Sequence, residues 1–155
     1  MTYETTHEPV PVARRHALGI PFLAIIGLAV LGVPRVILND LHIVDEADPV
    51  TWLLAIGPVV AWILVALLAK VPNPFLTLLV TGVVFGAMLV ITHQLLWDAA
   101  FAGDLPSVGD SQLGTVIPRF AAIPSGLVTG TLIGAVGGLI AWGIQAATSR
   151  TGSAR

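Results

Sequence analysis

SGLVTGTLIGAVGGLIAWGI, residues 125–144, carries no charged side chain over its whole length. At about 1.5 Å of rise per residue such a run forms a helix roughly 30 Å long, matching the hydrocarbon core of a bilayer. It is apolar on every face, so its solvent is lipid rather than water. Gly126, Gly130, Gly134 and Gly138 recur every four residues within it, with Gly137 on the same side. Residues four apart lie one above another on a helix, so these glycines form a ridge bare of side chains. A second helix can approach it closely and gain dispersion and Cα–H···O contacts. The sequence leaves open whether that helix belongs to the same chain or to another subunit.

Working back from this run, three more apolar stretches have the length of a span: about 17–38, 50–69 and 75–97. Pro21, Pro34 and Arg35 interrupt the first, and Gly57-Pro58 lies inside the second, so both are expected to kink. Asp48-Pro49 and Asn73-Pro74 each set an N-cap acceptor before a proline at the first helical position. The short connection at Lys70 to Asn73 makes spans two and three an antiparallel hairpin. The third span carries Gly82 and Gly86, and His93 shares their face seven residues on. Thr115 to Ile144 is too long for one upright helix, and Pro118 and Pro124 are expected to divide it. An interfacial piece up to about Ile123 would then precede the fourth span, 125–144. Residues 1–16 read as a disordered cytoplasmic arm and 145–155 as a polar, frayed tail. The predicted fold is therefore an all-α integral membrane four-helix bundle.

Composition agrees. Of 155 residues, 55% are hydrophobic and 10% charged, against about a quarter charged in soluble domains. The mean hydropathy is +0.91. Arg14-Arg15 ahead of an apolar stretch has the look of a leader peptide. The run is too long for a leader core and lacks an A-x-A site, so the segment is expected to stay as a span. Four spans place both termini on one side. That side gathers Arg14, Arg15, Lys70, Arg150 and Arg155, whereas the other holds Arg35 and Arg119 with seven acids, from Asp40 to Asp110. The positive-inside rule makes the first side cytoplasmic in a plasma membrane. Six arginines to one lysine, with abundant Ala, Val, Leu and Gly, lean towards a bacterial source.

These numbers exclude whole classes of function. A net charge of −2 offers no basic field for nucleic acid, and the absence of cysteine removes disulfides, thiolate catalysis and thiolate metal sites. No GxSxG, no HExxH and no embedded carboxylate of a proton-coupled pump is present. Asp40, His42, Asp45, Glu46 and Asp48 cluster in a loop without a metal-binding spacing, so they read as solvated acids. Neither a metal nor a cofactor is called for. The residues singled out are a helix-packing set, Gly82, Gly86, Gly126, Gly130, Gly134 and Gly138, and an outer polar set, Arg35, Asp40, His93, Gln94, Asp98 and Arg119. Asp40 or Asp98 is the expected ion partner of Arg35. The leading reading, carried by the packing set, is a non-enzymatic small multi-pass protein in the lipid bilayer that works by helix packing, as a homo-oligomer or as an accessory subunit with another membrane protein. The polar set points to a small oligomeric channel or carrier with an outward vestibule. An outward-facing enzyme would require several of the polar side chains to meet within hydrogen-bond reach.

Overall fold

The structure, a computed structural model, describes residues 18–45, 47–101, 104–109 and 112–152. The expected arm 1–16 with Arg14 and Arg15, together with Glu46, Asp110 and Arg155, lies outside the described residues. Within them the chain is all helical: α1 (Phe22–Val30), α2 (Val33–Asp40), α3 (Pro49–Leu68), α4 (Pro74–Leu95), the single turn α5 (Trp97–Ala100) and α6 (Gln112–Gly152). The α1–α2 unit, α3, α4 and α6 are four segments long and apolar enough to cross a membrane. Their outer faces carry large apolar side chains, with Leu23 at 78% and Leu68 and Leu95 at 80% exposure. Surfaces of this kind associate in water but are ordinary in lipid.

α4 is the central element and touches α1, α2, α3, α5 and α6. One of its faces presents Leu78, Gly82, Phe85 and Gly86, all buried, and the adjacent face buries Thr77 and Thr81. The glycines of α4 meet the ridge of α6 backbone to backbone. A Cβ added at Gly134 would stand 2.5 Å from the carbonyl oxygen of Leu78, and one at Gly138 2.9 Å from that of Phe75. At Gly130 it would meet the Cα of Gly86 and, at 2.5 Å, the oxygen of Gly82. Gly126 faces Val90 and Leu89. The partner that the sequence left open is thus a helix of the same chain.

The first span is two helices. α1 stops at Val30, Leu31 and Gly32 form a turn, and α2 begins with Pro34 at its second position. In the turn Gly32 N–H donates to Ala29 instead of Leu28. The Leu28 carbonyl is taken up by Nε1–H of Trp62 at 2.7 Å. Trp62 is 1% exposed and meets Phe85 edge to face at 5.7 Å. Gly32 allows this approach, because a Cβ there would lie 2.5 Å from the Phe85 ring.

Three local expectations are revised. Asn73 does cap α4, accepting from Leu76 N–H at 3.0 Å. Asp48 occupies the N-cap position of α3, but its carboxylate turns away and accepts from Asp45 N–H at 3.1 Å, closing the loop before the helix. The division expected at Pro118 and Pro124 does not occur, since α6 runs through both as one helix of 41 residues. Proline at 118 deprives the Gly114 carbonyl of its usual donor, and Val108 N–H supplies one at 2.9 Å from the preceding loop. Helical structure also continues beyond Ile144 to Gly152, over most of what reads as a frayed tail.

Gly130→Ala is expected to destabilise the protein by roughly 1–3 kcal/mol, because the atoms it meets are backbone and cannot rotate away. Gly143→Ala, which has nothing within 4 Å, is the control and should hold or slightly gain stability. Thermal unfolding in a mild detergent compares them, and equal midpoints would contradict the packing described.

Candidate functional site: an outer polar cleft

The polar side chains gather where α2 ends, α4 ends and α6 enters the bundle. Asp40 is the last residue of α2 and is 6% exposed, so it belongs to the helical bundle rather than to the loop. Its Oδ2 lies 3.0 Å from Nδ1 of His93 on α4, a pairing across 53 residues. With Asp40 ionised, Nδ1–H donates to the carboxylate, which fixes the ring and leaves Nε2 as the second nitrogen. His93 packs edge to face on Trp97 at 5.4 Å and on Phe101 at 6.1 Å, and those two rings lie 4.7 Å apart. The aromatic wall follows from spacing: 93, 97 and 101 are successive steps of four along α4, α5 and the turn after it.

The pair separates two cavities. The first, about 260 Å³, is lined by Arg35, Val36, Asn39, Asp40, Leu89, His93, Ala122, Ser125, Gly126 and Thr129. The second, about 330 Å³, lies on the loop side among Asn39, Asp40, His42, Val44, Asp45, His93, Ala100 and Phe101. Asn39, Asp40 and His93 line both. Arg35 is exposed and makes no hydrogen bond or ion pair among the described residues, so neither of its expected partners holds it. Its side chain also lines a small apolar cavity of about 30 Å³ with Gly32, Leu54, Trp62 and Phe85.

Gln94 and Arg119 form a separate unit. Arg119 Nε–H donates to Oε1 of Gln94 at 2.9 Å, its Nη2 donates to the Gln94 carbonyl at 3.1 Å, and Gln94 Nε2 donates to the Arg119 carbonyl at 2.8 Å. The guanidinium lies 5.8 Å from the Trp97 ring centre. This clamp ties the first turns of α6 to the end of α4 and so holds one wall of the cleft. Asp98 is exposed in α5 and lines neither cavity.

Of the outer set, the structure therefore brings together Arg35, Asp40 and His93, sets Gln94 with Arg119 beside them, and leaves Asp98 apart. Asn39, Ser125 and Thr129 complete the cleft and were not singled out in the sequence. The signal for the last two was a pair of hydroxyls four residues apart at the outer end of the fourth span. A groove of about 440 Å³ at the opposite end holds Lys70, Gln145, Thr148 and Ser149. Lys70, Thr148 and Ser149 are exposed, so nothing there builds a fixed site.

A hydrolytic reading needs a nucleophile on the free nitrogen of His93. Ser125 shares the cleft, but no hydrogen bond among the described residues joins its hydroxyl to His93. No group of three or more potential metal ligands occurs among the described residues. The arrangement brings a guanidinium, a buried carboxyl group held by His93, and hydroxyl and amide groups onto one cavity, which is equipment for holding a ligand. No protein-family model, curated protein or solved structure matches this chain.

The Asp40–His93 contact should appear as energetic coupling. Asp40→Ala and His93→Ala are each expected to lower the unfolding midpoint, with the double variant losing less than the sum by about 0.5–3 kcal/mol. Strict additivity would show that the two side chains do not act as a pair.

Proposed function

We propose that this is a small multi-pass protein of the plasma membrane, with both termini cytoplasmic, that binds a ligand without chemical conversion in an outward-facing polar cleft. The observation that carries this reading is the convergence of Arg35, Asp40, His93 and Ser125, from three different helices, on one cavity of about 260 Å³. The alternative of a packing subunit or homo-oligomer drew its support from the glycine ridge, and that ridge is occupied by α4. A second copy or partner protein would have to use the remaining apolar faces, which equally suit lipid.

Binding is favoured over conduction by what lies beneath the cleft. Its deepest α6 residue is Thr129, and at the next residue Gly130 meets Gly82 and Gly86 backbone to backbone. Helices in such contact leave no room for a hydrated ion between them. Bends at Pro34 and Pro58 in this reading shape the entrance and do not open a path through the bundle.

The native chain has no cysteine, so single cysteines report access without background. On intact cells a membrane-impermeant maleimide should label Asn39→Cys and Ser125→Cys at rates comparable to a loop position such as Leu105→Cys. Thr148→Cys should react only after permeabilisation. Labelling of Thr148→Cys in intact cells would reverse the orientation. A Ser125→Cys as slow as the lipid-facing Val136→Cys would remove the cleft.

A further inference from the structure

The charges in the cleft are of both signs, and that narrows what it can hold. Arg35 is a permanent cation with no partner among the described residues. Asp40 is buried and engaged on one oxygen by His93. A simple anion drawn to Arg35 would stand close to the Asp40 carboxylate, and a simple cation drawn to Asp40 would stand close to the guanidinium. A ligand carrying both charges meets neither penalty.

The order of the two poles is also fixed. Asp40 follows Arg35 by five residues along α2, about 7.5 Å of helical rise, towards the end of the bundle that carries the loops. By backbone position Arg35 is therefore the deeper of the two residues and Asp40 the shallower one. On the flank formed by α6, Ser125 and Thr129 are exposed, so the cleft opens sideways towards lipid. Along α2 from the bundle interior outward, the order is Arg35, then Asp40, then the loops. A phospholipid whose head group ends in an ammonium has the complementary order: acyl chains, phosphate, ammonium.

We infer that the cleft between α2, α4 and α6 takes a zwitterionic phosphate–ammonium group, with phosphate at Arg35 and Ser125 and a primary ammonium at Asp40 and Asn39. Arginine suits phosphate because its planar fork donates to two oxygens at once. The cation end must be a hydrogen-bond donor, because its partners are carboxylate and amide oxygens. A quaternary ammonium prefers a cage of Trp, Tyr or Phe rings, and among the described residues Phe101 alone of these types lines the adjoining cavity. The chemistry is shared by an ethanolamine phospholipid and by free phosphoethanolamine. The sideways opening of the cleft along α6 favours the lipid.

This inference rests on the outward-facing cleft, and maleimide labelling of Ala122→Cys, a cleft position with no assigned ligand contact, in purified, detergent-solubilised protein separates the two. Short-chain phosphatidylethanolamine is expected to slow labelling by about tenfold or more at saturation, with phosphatidylglycerol and phosphatidylcholine of the same chain length at least about tenfold weaker in half-effect concentration, about 1.4 kcal/mol in binding. Arg35→Ala, an exposed position, should weaken phosphatidylethanolamine and phosphatidylglycerol alike. Asp40→Asn, which keeps an oxygen to accept from His93, should erase the preference for ethanolamine over glycerol. Free phosphoethanolamine protecting as well as the lipid would support the zwitterion and assign a soluble source. Ready labelling that phosphatidylethanolamine does not slow, or that phosphatidylglycerol slows equally well, would overturn the inference while leaving the cleft. Absence of labelling without any ligand would sink the cleft itself.

Discussion

Everything else in the bundle depends on the backbone contact between α4 and α6. In lipid, apolar side chains gain nothing by leaving solvent for one another, so helix association rests on close packing and weak polar contacts. The glycine faces of the two helices allow both, because no Cβ stands between Gly82 or Gly86 and Gly130 or Gly134. Once this pair is set, α4 has its remaining faces free for α1, α2 and α3, and becomes the axis of the bundle. The contact also decides where space can exist. At Gly130 and Gly134 the two backbones touch, at Gly126 α6 meets the side chains of Leu89 and Val90, and the cleft opens beside that contact.

The broken first span serves the same end. A straight helix through residues 22–40 would carry Arg35 and Asp40 on a single unbroken axis, whereas the turn at Leu31 and Gly32 starts α2 afresh. A backbone carbonyl left without its helical donor is costly inside a membrane. At the turn the Leu28 carbonyl accepts from Leu31 N–H at 3.2 Å and from Trp62 Nε1–H at 2.7 Å, and Phe85 seats the indole. Trp62 therefore sits deep because its partner is deep, unlike the interfacial belt tryptophans that its residue type suggests. Two neighbouring interactions, one polar and one aromatic, hold the piece of chain that delivers both charges of the cleft.

The legible parts of the sequence were those encoded by period and local chemistry. Four apolar stretches, the glycine spacing on α6, and the Asn73-Pro74 start of α4 are all local patterns. What could not be read were relations between distant residues. The ridge states that a helix will come close but not which one, since Gly82 and Gly86 are complementary to it only in three dimensions. Pro118 reads as a break because its local cost is visible, while the Val108 donor that relieves the Gly114 carbonyl belongs to a loop before the helix. Asp40 reads as a loop acid because it lies one residue past an apolar run and an asparagine. In the fold it is the end of α2, and His93, 53 residues on, makes its burial affordable. Gln94 and Arg119 were each visible as polar residues near a membrane boundary, but their threefold bonding to one another was not.

The distribution of charge in the cleft has a consequence for how Arg35 is held. An ion pair at about 4 Å gains roughly 1 kcal/mol in bulk water and about 4 kcal/mol at the effective dielectric near a protein surface, and the gain falls as the inverse of distance. Direct contact with Asp40 would therefore satisfy Arg35 at the membrane boundary, yet the carboxylate is given to His93 instead. The hydrogen bond to His93 Nδ1 holds the Asp40 carboxylate in place through one oxygen. The result is two opposite charges held apart on one helix, each with capacity left, at the level where a bilayer passes from hydrocarbon to head groups. A salt bridge between them would have made a more self-sufficient helix end and closed the cleft. Keeping them separate leaves the room that the proposed zwitterionic ligand would occupy.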